Sequence, residues 1–89
     1  MKSRSHNPRL KAVYLEAVDN QLRDNDPPET RQTFDRLRRE GYNEKDAKVL
    51  IASVIAAESF WIMKSGSPFN QERFVRNLKR LTNQSFDET

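Results

Sequence analysis

A single all-α domain of four helices, with a long central third helix, is predicted by three features of this sequence. Apolar residues recur at helical spacing in four separate stretches. A capping residue, Asn7, Asp26, Asn43 or Asn70, stands at the start of each. The only two glycines, Gly41 and Gly66, both come directly after a helical stretch.

The first helix opens at Asn7-Pro8, with Asn as cap and Pro at the first helical position, where a missing N–H costs nothing. Leu10, Val13, Tyr14, Ala17, Val18 and Leu22 form its apolar stripe, and Arg9, Lys11, Glu16, Asp19 and Arg23 take the other side. The helix is expected to run from Pro8 to about Arg23, where Asp24-Asn25-Asp26 stops it. The second starts at Asp26-Pro27-Pro28-Glu29, with Asp26 as cap and Pro27 first in the helix. Phe34 and Leu37 are its only large apolar groups, so it is expected to lie on the outside of the domain, pinned by a narrow contact, and to end at Gly41.

The third helix, capped by Asn43 with Asp46 in the position of a capping-box return arm, reaches from Glu44 to about Lys64 without Gly or Pro. Lys45, Lys48, Ala52, Ser59 and Met63 fall on one strip of the wheel, with Leu50, Val54, Ala57 and Trp61 opposite. So wide an apolar arc belongs to a helix contacted from several sides. Gly66-Ser67-Pro68 then turns the chain into a fourth helix capped by Asn70, where Phe69 and Phe74 have the spacing of a hydrophobic staple. Phe74, Val75, Leu78 and Leu81 form the buried stripe of that helix, and Arg73, Arg76 and Arg80 a basic one.

Length and composition set the scale. Leu, Ile, Val and Phe supply 20 of 89 residues and the net charge is +3, enough apolar content for one thin-cored folded domain and too little charge to expand it. The domain is expected to span 7–81, between flexible tails at 1–6 and 82–89. Without cysteine there is neither a disulfide nor a thiolate metal site. The basic, polar start of the chain lacks the apolar stretch of a signal peptide. Val49 to Met63 is interrupted by Ser53, Glu58 and Ser59 and is too short to cross a bilayer. A cytoplasmic protein without membrane contact is expected.

Catalytic chemistry is hard to assemble from these residues. The single histidine, His6, lies in the N-terminal tail, away from rigid support. One histidine and no cysteine cannot build the usual zinc sites, and neither glycine belongs to a phosphate-binding loop. No enzyme, metal or cofactor is expected. Glu58 sits awkwardly, on the apolar side of the third helix among Ala47, Ile51 and Val54. A buried acid with a raised pKa is one reading of it; a carboxylate at the edge of the core, paired with an arginine or reaching water, is the other. Arg73, Arg76, Lys79 and Arg80 offer a basic face for phosphates or a protein partner, although no base-reading motif accompanies them. A helix-turn-helix across the second and third helices fails, because its reading helix would be the most apolar of the four. Excess apolar surface is expected near Trp61, Ile62 and Met63, where a second copy would gain contact area.

Asp26-Pro27-Pro28-Glu29, Leu37 with Gly41, Asp46-Ala47, the Ile51 to Glu58 stretch, and Gly66-Ser67-Pro68-Phe69-Asn70 with Leu78 resemble a group of small bacterial helical domains of unknown function. The resemblance covers 7–81 and rests on caps and core positions, which specify a fold more than an activity. Members often carry His-x-x-x-His on the first helix and a further His early on the long one, implying a metal or proton site between those helices. The matching positions here are Leu10, Tyr14 and Val49, so the resemblance implies a retained scaffold without that site; Glu58 stands at an acidic position of the pattern. Together these features lead to a protein-interaction or accessory module, with an unknown protein or a second copy as partner. Its contacts are expected among the surface arginines of the second and fourth helices. Weak nucleic-acid binding by the basic face of the last helix is the alternative.

Overall fold

The computed structural model describes residues 8–82, and the expectations for His6, the Asn7 cap and the two tails lie largely outside them. Four helices account for most of the described chain: α1 (Pro8–Asp24), α2 (Pro28–Arg39), α3 (Glu44–Ser65) and α4 (Gln71–Lys79). The fold is the expected all-α domain with a long third helix. At about 1.5 Å per residue α3 spans about 33 Å, while α2 and α4 have only 12 and 9 residues.

Helix ends follow the sequence signals closely. The Asn43 side chain accepts the Asp46 N–H at 2.8 Å, and Asn70 accepts the Arg73 N–H at 2.9 Å. The Phe69 and Phe74 rings lie 5.8 Å apart, forming the staple. Gly66 terminates α3 with φ 75°, a left-handed conformation, and donates to the Ile62 carbonyl. Gly41, at φ 109°, closes α2: its N–H reaches Arg38 and the next N–H, of Tyr42, reaches Leu37. The start of α2 is displaced by one residue. Pro27 rather than Asp26 is the cap residue, extended at φ −79°, ψ 154°, and no side chain caps the helix. The cause is the double proline: a residue before proline is driven out of the helical region, so only Pro28 can begin the helix.

α2 also occupies a different place from the peripheral one expected of it. It packs against α1, α3 and α4, as α3 packs against the other three, while α1 and α4 make no backbone approach to each other. α2 and α3 are therefore the central pair. Two threonines allow this. Thr30 and Thr33 are buried beside Leu37, their methyl groups serving as apolar surface, and the Thr30 hydroxyl donates to Gln21 Oε1 of α1 at 2.7 Å. Around the pair, Val18, Leu22, Leu37, Ala47, Ile51, Ala52, Val54, Phe74 and Leu78 form the core. α1 reaches it through Val18 and Leu22, with Tyr14 and Leu15 packed alongside. Leu10 and Val13, placed by periodicity on the buried stripe, remain 49% and 54% exposed. Lys48 Nζ adds a polar tie between α1 and α3, 2.9 Å from Asp19 and 3.2 Å from Glu44.

In a core this small a single truncation is costly. Leu37→Ala is expected to lower the unfolding free energy in urea by about 3 kcal/mol, whereas Val13→Ala changes it by less than about 0.5 kcal/mol.

Candidate interaction surface

Glu58 belongs to the inward face of α3. It continues the buried line Ala47, Ile51, Val54 at helical spacing, and only 4% of its surface is exposed. Its partner comes from α4. Arg73 Nε lies 2.9 Å from Glu58 Oε1 and Arg73 Nη2 2.6 Å from Oε2, a two-pronged pairing, while the Asn70 N–H donates to Oε2 at 3.3 Å. The Arg73 hydrogen bonds hold the Glu58 carboxyl below its ordinary value against the upward push of desolvation, with the Asn70 N–H and the arginine charge assisting. A raised pKa, required of a buried acid, is thus overturned. Glu58 is an ionised anchor for α4, and the other face of the Arg73 guanidinium covers the Trp61 ring at 5.5 Å.

The basic stripe of α4 divides accordingly. Arg73 turns inward, so the structure removes it from the four cations grouped as a contact face. Arg76, Lys79 and Arg80 stay together, lining an open groove of about 730 Å³ with Glu29, Glu72 and Val75. Lys79 and Glu29 also border an adjoining recess containing Arg36 and Arg39 of α2. Five cations and two carboxylates thus lie along the α2–α4 seam, and elsewhere among the described residues positive and negative side chains are equal in number. One Glu29 oxygen is buried there without a hydrogen-bond partner among the described residues.

Most α2 arginines have structural tasks. Arg36 Nη2 donates to the Leu78 carbonyl at 3.1 Å, in the last turn of α4, and its Nη1 pairs with Glu40 at 3.0 Å. Arg31 reaches the Leu22 carbonyl near the end of α1, and Arg38 the Tyr42 carbonyl. Carbonyls left open at helix ends are natural acceptors for such side chains. Exposure and charge read from sequence placed α2 arginines among the contact residues; the structure employs these three in tying element ends together.

The outward face of α3 is the larger unassigned surface. Between Lys48 and Lys64 the only ionisable residue is Glu58, and it points inward. Outward lie Val49, Ser53, Ala56, Ala57, Phe60, Trp61 and Met63. Phe60 is 63% exposed, Trp61 46% and Met63 80%, and Phe69 just beyond the helix is 53% exposed. The Ser53 hydroxyl donates back to the Leu50 carbonyl at 2.6 Å, so the serine of this face is spent on its own helix. Beside it, Lys11, Tyr14 and Leu15 of α1 and Val49, Ala52, Ser53 and Ala56 of α3 line an apolar groove of about 200 Å³. Tyr14 and Val49 thus border one groove. No cluster of three potential metal ligands exists among the described residues, and no helix of theirs is long and apolar enough to cross a membrane.

The Glu58 geometry fixes a pH dependence. Because its folded pKa lies below the ordinary 4.5, the stability it contributes is complete above about pH 4.5 and is lost as pH falls through the folded value. The difference in urea midpoint between wild type and Glu58→Gln is therefore expected to be constant near neutrality and to shrink only in acid. A difference that instead grew on acidification would contradict an ionised Glu58.

No known protein family, curated protein or solved structure matches this chain.

Proposed function

We propose that this domain is a protein-interaction module that docks its partner on the outward face of α3. The observation that carries the reading is the stretch from Val49 to Met63, whose outward side bears no charge and whose Phe60 and Met63 are largely exposed, with Lys64 over the Phe60 ring at its edge. Aromatic and methionine side chains grouped this way contribute most when a partner excludes water from them. Small residues beside them leave room for an apposed helix. The α1–α3 groove extends the same surface. The chemistry of the partner follows: an apolar helical face or apolar side chains presented to the groove.

The test compares tagged wild type with Phe60→Ser/Met63→Ser, both substitutions at exposed positions and both checked for unchanged helicity by circular dichroism. A polypeptide, either an untagged copy or another protein, is expected to be retained by wild type and released at least tenfold more readily by the double variant. Retention that ignores the substitutions, or none at all, sinks the reading. Trp61, the only tryptophan, gives a second readout: its emission is expected to shift to the blue when the face is covered.

The α2–α4 seam favours a second reading, weak binding of nucleic acid through phosphate contacts. The net positive charge of the described residues resides there, with Arg39 and Arg76 beside Lys79 and Arg80. Glu29 and Glu72 in the same seam, and the lack of an aromatic side chain lining it, place this reading second. Here Arg76→Ala/Arg80→Ala is expected to weaken binding alike for all sequences and to reduce the logarithmic salt slope by about 2. Salt-insensitive binding, or an affinity unchanged in the double variant, contradicts it.

A further inference from the structure

We infer that the partner on the outward face of α3 is a second copy of this chain, the two α3 helices crossing antiparallel about a two-fold axis near Ala56 and Ala57. The inference rests on the interaction-module reading and names its partner. Two properties make the face complementary to itself.

The first is its middle. Ser53, Ala56 and Ala57 are small, and Ser53 spends its hydroxyl on its own helix, so two backbones can approach closely without orphaning a polar group. The other serine of the stretch, Ser59, faces the cleft shared with α4 and lies off this surface.

The second is relief. One end of the face protrudes, through Phe60 and Met63. The other is recessed, where Val49 and Ala52 border the groove closed by Tyr14 and Leu15. Antiparallel pairing about Ala56 sets Phe60 of one copy opposite Ala52 of the other, and Met63 opposite Val49. Each protruding pair then meets the other copy's groove, and the two-fold axis repeats the contact as an isologous interface requires. Parallel pairing would instead place the protruding ends against each other and leave both grooves empty.

The test uses the whole chain. Purified wild type is expected to sediment at about twice its 10.5 kDa monomer mass. Ala57→Glu, a substitution at an exposed helical position, is expected to sediment as a monomer with undiminished helicity, because the axis sets the two added carboxylates against each other. Since the chain contains no cysteine, Ala56→Cys introduces one thiol at the axis and is expected to form a disulfide-linked dimer on mild oxidation, which Gln32→Cys on α2 does not. Wild type at monomer mass throughout, a dimer indifferent to Ala57→Glu, or equal crosslinking at the two thiols overturns the inference. A monomeric wild type that still retains another polypeptide through Phe60 and Met63 removes the second copy and keeps the interaction module. Failure of both removes both.

Discussion

A carboxylate in the middle of a buried helical stripe is the constraint on which the packing of this domain turns. Glu58 follows Ala47, Ile51 and Val54 into the interior, where an ionised side chain without partners would cost several kcal/mol. Arg73 removes that cost, and it can do so only if α4 lies against α3 in one register. The short loop after Gly66 delivers Asn70 and Arg73 together, so one carboxylate receives both a backbone N–H and a guanidinium. Phe74, one residue further on, is carried into the core by the same placement. The pair is thus better understood as a device for positioning α4 than as a source of net stability, since a buried ion pair mainly offsets its own desolvation.

A similar economy governs the other arginines. The buried apolar set is small, and short helices leave many carbonyls open at their ends. Arg31, Arg36 and Arg38 of α2, which touches all the other helices, reach carbonyls of Leu22, Leu78 and Tyr42, close to the ends of α1, α4 and α2. Much of the high charge content thereby serves internal structure. What remains as unbalanced charge is confined to the α2–α4 seam.

α3 reconciles two demands that a surface helix normally separates. Its inward stripe builds the core, and its outward side, uncharged from Val49 to Met63, does nothing for the core it belongs to. Its 22 residues outrun neighbours of 17, 12 and 9, and Phe60 and Met63 near its end stay largely exposed. A broad apolar arc in the sequence was consistent with contact on several sides within the domain. α1, α2 and α4 supply those contacts, and the remainder of the arc faces outward as the candidate surface.

The sequence alone determined what depends on near neighbours in the chain. Helical periodicity set the four elements, the Asn43 and Asn70 caps with the Phe69–Phe74 staple fixed the starts of α3 and α4, and the two glycines ended α2 and α3. The shift at Pro27 was itself a local effect of the following proline. The wheel also placed Glu58 on the apolar side, because direction around a helix is a local property. Tertiary structure decided everything that depends on which helix lies beside which. It chose Arg73 from many arginines as the Glu58 partner, drew α2 inward through its threonines, and left Leu10, Val13 and Phe60 uncovered. Periodicity gives a side chain its direction; only the neighbouring helices determine whether anything stands there to meet it.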